Sequence, residues 1–179
     1  MLTDGLVIRR ASSADAAELA AFAAGTFHDT FGADNTPDDM AAYLSATYGE
    51  RQQRAEIASP DIITLLIEDE QTPIAYAQVR RGQAPSCVTT PAPVELWRFY
   101  VDRSWHGRGV APILMRAALD ASRELSGSSV WLSVWERNPR ALTFYAKCGF
   151  RDVGSKVFIV GSDHQTDRVM ARLLDAPSI

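Results

Sequence analysis

The chain has 179 residues, 46% of them hydrophobic, and 22 acidic residues against 18 Lys and Arg give it a formal net charge of −4. That length suits one domain with its own core. The acidic balance gives no general attraction to nucleic acid or an anionic membrane. The longest strongly apolar run, Ile62 to Ile67, is far too short to cross a bilayer.

The opening Met1-Leu2-Thr3-Asp4-Gly5 has no basic segment followed by an apolar one, so no signal peptide is expected. Residues 6–10 read as a strand. Ser13 then caps a helix whose apolar face carries Leu19, Phe22 and Ala23, and residues 26–32 end it in a loop. Thr36 caps a second helix with Pro37 at its first position, running to about Tyr48, and a short third helix fits residues 51–58. Residues 62–68 and 74–79 form a hairpin, and the Pro-, Ser- and Thr-rich stretch 82–93 is a loop. A strand over 94–101 leads through a glycine turn at 107–111 into a helix reaching about Ser126. A strand at 130–134, a helix from Asn138 to Cys148 closed by Gly149, and two strands at 153–159 and 168–174 complete the chain. The order β-α-α-α-β-β-β-α-β-α-β-β predicts one α/β domain with helices against a mixed sheet. Cys87 and Cys148 lack metal-ligand spacing, so no metal is expected. They fit a reducing cytoplasm, with a single disulfide as the alternative.

Two segments carry chemistry. The first is Phe99-Tyr100-Val101-Asp102-Arg103-Ser104-Trp105-His106-Gly107-Arg108-Gly109-Val110-Ala111. Glycine allows a sharp turn and a close approach to a ligand, and the first N–H groups of the following helix have no intrahelical partners. Together they make an anion site suited to a diphosphate. The alternative is a turn that merely joins strand to helix. A P-loop needs Lys followed by Ser or Thr, where this chain has Val110-Ala111, and the spacing does not match a dinucleotide fingerprint. The second segment runs from Val134 to Phe150. Asn138 suits an N-cap, Pro139 a first helical position and Gly149 a helix end. Tyr145 follows Asn138 by about two turns, on the same edge. A capped helix with Tyr145 in the core is the plainer alternative.

The glycine turn resembles the acetyl-CoA loop of the GNAT N-acetyltransferases, aligned from His106 through Gly107, Arg108, Gly109 and Val110 to Ala111. His106 departs from the Arg or Gln usual there, leaving Arg103 or Arg108 to supply a cation. The downstream segment resembles the family's Asn, Ala, Phe-Tyr, Gly-Phe signature. The resemblance implies a GNAT fold, with a mostly antiparallel central sheet covered by helices on both faces. It implies that Asn138 borders the pantetheine arm, that Tyr145 lies near the thioester sulfur, and that the strands holding Phe99 and Val134 splay around coenzyme A. It places the oxyanion donors around Phe99, Tyr100 and Val101. The stretches Thr26 to Gly32 and Asn35 to Met40 and the tail from Phe158 to Asp167 resemble the bacterial PaiA-type spermidine/spermine N-acetyltransferases.

Transfer of acetyl from a thioester to an amine needs an uncharged amine. At pH 7 deprotonating a lysine-like amine costs about 4–5 kcal/mol, so a carboxylate wired to water would help. Glu95, at the start of the strand leading into the turn, is the candidate base; the alternative is an exposed strand-end acid. Tyr145 is the candidate acid for the leaving thiolate, although that transfer is uphill by about 2 kcal/mol in water. Direct attack in a ternary complex is expected, because no base is placed to activate Cys148 as a nucleophile. Trp97, Trp105, Trp131 and Trp135 read as core and pocket packing, and Arg98 as a paired charge. Asp29, Asp34, Asp38 and Asp39 read as a solvated, helix-capping face, and His28 and His164 as surface or structural. A small amine acceptor, polyamine first, is the leading expectation. Protein lysines or N-termini, and a non-catalytic acyl-CoA sensor, are the other readings. Oligomeric state stays open, a homodimer among the options.

Overall fold

The computed structural model describes residues 5–160 and 163–174, with the side chains of residues 160 and 163 left aside. Residues 1–4 and the Gly161-Ser162 pair of the tail motif lie outside the described residues. The strands are β1 (Val7–Arg10), β2 (Ile62–Asp69), β3 (Thr72–Arg80), β4 (Pro93–Val101), β5 (Ser129–Trp135), β6 (Arg151–Val160) and β7 (Asp163–Leu173). They form one sheet in the order β1-β2-β3-β4-β5-β7-β6. Every neighbouring pair is antiparallel except β4 and β5. The helices are α1 (Ala16–Phe31), α2 (Pro37–Thr47), α3 (Glu50–Ala58), α4 (Val110–Glu124) and α5 (Pro139–Lys147).

Both faces of the sheet are covered, as the alternation of β2 shows. Ile67 packs in one core with Leu114, Met115 and Ala118 of α4, while its neighbour Leu66 packs in the other with Leu19, Ala23 and Phe27 of α1 and Met40 of α2. Successive strand residues point to opposite faces, so α4 lies on one side and α1 and α2 on the other. Glu70 and Gln71 join β2 to β3 with φ of 47° and 69°, the conformation of a tight turn that matches strand twist. Thr36 caps α2 by accepting from the Asp39 amide, with Pro37 next to it.

Two local expectations need correction. The cap before α1 is Ser12, not Ser13: Ser12 and Asp15 form a capping box around a single 3₁₀ turn. Arg9 fixes that turn by holding Asp15 at 2.7 Å while also gripping Glu68, and the guanidinium keeps the Asp15 carboxyl well below the usual carboxylate range. Residues 26–31 do not form a loop; α1 continues to Phe31. Phe27 and Phe31 pay back the weak helix propensity of Gly25, Thr26 and Thr30 by packing: Phe27 stacks on Tyr43 at 4.6 Å, and Phe31 meets Trp135 edge-on at 5.9 Å. The loop after β3 lays Ala84, Cys87 and Val88 over Trp131. Cys87 and Cys148 are both free thiols, so the disulfide alternative falls.

Candidate active site

The sheet opens where the pairing of its parallel strands, β4 and β5, ends. β4 and β5 pair only at Pro93–Ser129, Val94–Val130 and Glu95–Trp131, whereas β5 goes on pairing with β7 as far as Trp135. Beyond Glu95 the two strands part. The Asp102 amide donates to Ile74 of β3, and Tyr100 lies opposite Tyr76. Along an antiparallel strand the outward and inward backbone groups alternate, so the N–H groups of Phe99 and Val101 point away from β3 into the opening. A cavity of about 740 Å³ fills this opening. One end is walled by Gly107, Gly109, Ala111, Asn138 and Tyr145, the other by Glu95, Tyr48 and Trp97, and Asp167, opposite Trp135, lines the same cavity.

At the first end, Gly107 and Gly109 have φ of 77° and 84°, and a Cβ built on either meets no atom within 4 Å. No side chain plugs the turn. α4 starts at Val110, so its leading amides face this space. The His106 ring lies between two fixed partners: Nε2 is 2.9 Å from the Val101 carbonyl and Nδ1 is 2.6 Å from the Arg140 guanidinium. The carbonyl can only accept and the guanidinium can only donate, so Nε2 carries the hydrogen and Nδ1 accepts. His106 thereby ties the end of β4 to α5 and brings the Arg140 charge to the turn. Arg108 lies against Trp105, 5.2 Å from the ring centroid. Asn138 caps α5 by accepting from the Ala141 amide at 3.1 Å. Tyr145 is buried, packed edge-on against Phe99 and Phe150, and burial raises its hydroxyl above the ordinary tyrosine value.

At the second end, a bulge at Trp97 decides which side chains meet. Glu95 pairs with Arg80 and Arg98 with Gln78, so Trp97 has no opposite residue. Glu95 and Arg98, three apart, therefore share a face that a regular strand would deny them. Glu95 is not an exposed strand-end acid: it is 5% exposed, and Arg80 Nε donates to it at 2.6 Å. Arg98 is paired as expected, donating to Glu56 at 2.5 Å and to Gln78 at 2.6 Å. Trp97 lies 3.7 Å from Arg80 and 3.9 Å from Arg98, measured from its ring centroid. His28, His164, Asp29, Asp34 and Asp38 are exposed. Sequence reasoning missed Arg140 and Asp167. Arg140 carried a hint, since a cation in a helix's first turn opposes the helix dipole.

The sequence profile of the acetyltransferase (GNAT) family matches residues 27–150. This chain belongs to that family. Membership brings the reaction class, N-acetyl transfer, and the donor, acetyl-CoA. The GNAT chain is 35% identical over 170 residues to an uncharacterized N-acetyltransferase of Lactobacillus delbrueckii subsp. lactis, covering 95% of this chain and 98% of that one. Its fold is similar to that of the PaiA N-acetyltransferase of Thermoplasma acidophilum, solved with coenzyme A, at a TM-score of 0.76 and 18% identity over 94% of this chain and 98% of that one. It is also similar to the SpeG spermidine N-acetyltransferase of Vibrio cholerae, at a TM-score of 0.67 and 19% identity over 96% of this chain and 95% of that one. Among the described residues of this GNAT chain, no helix is long and apolar enough to cross a membrane.

Proposed function

We propose that this enzyme acetylates a primary amine, preferably a polyamine or similar small amine, by direct attack in a ternary complex. The observation that carries this reading is the cavity through the parted strands. It joins the glycine turn, where an added Cβ would meet no atom, to a chamber holding a buried carboxylate, Glu95. The similarly folded SpeG of Vibrio cholerae is a spermidine N-acetyltransferase, which favours the polyamine choice.

Acetyl-CoA supplies an activated thioester carbonyl. The chain's own groups divide the remaining work. Amides of Gly107, Gly109, Val110 and Ala111 hold the diphosphate, the Arg108 amide being taken by the Trp105 carbonyl, and the Arg108 side chain, and Arg140 through His106, add positive charge. Asn138 borders the pantetheine arm. Inward amides among Phe99, Tyr100 and Val101 receive negative charge on the carbonyl oxygen; Phe99 and Val101 are oriented for it, and Tyr100 forms the wall between. Tyr145, kept protonated by burial, donates to the departing sulfur. Glu95, at the closed end of the opening, accepts the amine's proton through water.

The test is release of free coenzyme A thiol across a panel of mono-, di- and polyamines and lysine peptides. Highest kcat/KM for a small polycationic amine supports the reading. Turnover restricted to peptides refutes the acceptor choice, and coenzyme A binding without turnover on any amine refutes the reading itself.

A further inference from the structure

Asp167 lies on β7 opposite Trp135 of β5 and Lys156 of β6, and no role above uses it. Its side chain is 5% exposed, lines the cavity, and has one carboxylate oxygen, Oδ1, that is buried without a hydrogen-bond partner. A buried carboxylate with an unused oxygen is an unfavourable arrangement unless a ligand completes it.

The charged and polar neighbours come from each element packed around it. Ser133 of β5 hydrogen-bonds the carboxylate, Glu136 just beyond β5 adds negative charge, and Lys156 and Tyr43 face it from β6 and α2. Lys156 favours the charged carboxylate but is outweighed by burial, and its ammonium sits 5.3 Å from the Trp131 ring centroid. Burial pushes the Asp167 carboxyl above its ordinary range. The rings nearby are suited to a cation with a methylene chain. Tyr43 meets Phe158 at 5.8 Å, and Trp135 meets Phe31.

Position along the strands assigns the ligand. Glu95 lies opposite Trp131, and Trp135, four residues further along β5, lies opposite Asp167. Four strand residues and two strand spacings separate the backbone positions of the two acids by about 16 Å. One cavity with two anionic points so far apart fits an acceptor with two nitrogens better than one with a single charge.

Building on the amine-acetylation reading, we infer that Asp167 binds the second, non-reacting ammonium of the acceptor and is the residue that selects diamines and polyamines over monoamines.

The experiment compares wild type, Asp167→Asn and Asp167→Glu on spermidine, 1,4-diaminobutane and n-butylamine, reading kcat/KM for each. Calorimetry of 1,4-diaminobutane with the coenzyme A-loaded protein gives a second readout. The ratio of diamine to monoamine kcat/KM should fall about thirtyfold or more in Asp167→Asn, because half of a buried charge pair is removed. The diamine Kd should rise in parallel, and Asp167→Glu should recover part of the ratio. A merely structural Asp167 would slow all three amines alike, and an unchanged ratio overturns the assignment while leaving amine acetylation intact. A wild type that favours n-butylamine overturns the assignment and the polyamine preference together. Asp167→Asn keeps the side chain's shape, and its coenzyme A affinity, measured in the same calorimeter, reports that the fold stands.

Discussion

Substituting Gly109 with alanine separates a glycine that serves the ligand from one that serves the fold. Gly109 has φ of 84°, and an L-residue held there costs roughly 1–2 kcal/mol. At roughly 2–4 °C per kcal/mol for a chain of this size, Tm should fall by roughly 2–8 °C. The added methyl meets no protein atom within 4 Å, so it stands in the open cleft that Gly109 lines. There it blocks the approach to the leading amides of α4. Loss of one charge-assisted hydrogen bond, about 1.5–3 kcal/mol, weakens coenzyme A binding roughly 10- to 100-fold. Gly127→Ala is the control with the opposite signature. Its methyl would lie 2.7 Å from Val94 Cγ2 and 2.9 Å from the Ser122 carbonyl, so β4 and α4 must shift. It should lower Tm and leave coenzyme A affinity as in wild type. Thermal unfolding and calorimetric titration of both variants give the answer. Wild-type affinity in Gly109→Ala, or equal weakening in Gly127→Ala, would refute the placement of the diphosphate at this turn.

Three further outcomes follow from named contacts. Tyr145→Phe should lower kcat about 10²- to 10⁴-fold with little change in coenzyme A Kd. Because burial raises the wild-type hydroxyl, the pH–rate profile should show no loss from tyrosine ionisation below the ordinary value of 10.0. Glu56→Gln removes one member of the buried Arg98 pair and should cost about 3–5 kcal/mol in urea unfolding. Asp15→Asn should cost about 1 kcal/mol at pH 7, since Arg9 is partly exposed. The Asp15 pair is fully formed above the ordinary carboxylate value of 3.8 and is lost as pH falls through the lowered folded value. The gap between that variant and wild type should therefore close in acid, as urea midpoints at several pH values will show.

Local chemistry made the elements legible, and non-local pairing hid much of the chamber. Thr36-Pro37, Asn138-Pro139 and the Gly107–Gly109 turn carry their instructions within a few residues, so the starts of α2, α5 and α4 could be read directly. The resemblance anticipated the parting of β4 and β5, which the short β4–β5 ladder bears out. In a regular strand Glu95 and Arg98, three residues apart, would face opposite ways. The bulge at Trp97 reverses that, and its position is set by the register against β3, which no local pattern encodes. Asp167 was hidden for the same reason. It reaches the cavity because β7 inserts between β5 and β6, a pairing between segments about 30 residues apart. The helix α1 continues through residues 26–31, expected as a loop, because ring packing by Phe27 and Phe31 overrides the weak helix propensity of Gly25, Thr26 and Thr30.

The charge on Asp167 also makes a prediction about stability without any ligand. Burial outweighs the Ser133 hydrogen bond and the Lys156 charge, so the folded carboxyl holds its proton to higher pH than the unfolded one. Between the ordinary value of 3.8 and that raised value the folded state binds more protons than the unfolded state. Stability then falls as pH rises through this window, the reverse of the Asp15 case. At neutral pH the buried carboxyl is a net burden on the ligand-free fold. Asparagine has no charge to desolvate and can still accept from Ser133. Asp167→Asn should therefore raise the urea midpoint at pH 7, while in acid below the carboxylate range the two proteins should unfold together. A diamine binding beside the carboxylate should stabilise wild type more than the variant and narrow the difference at pH 7. If Asp167→Asn instead lowers the neutral-pH midpoint, the carboxylate is already compensated within the protein and has no need of a second ammonium.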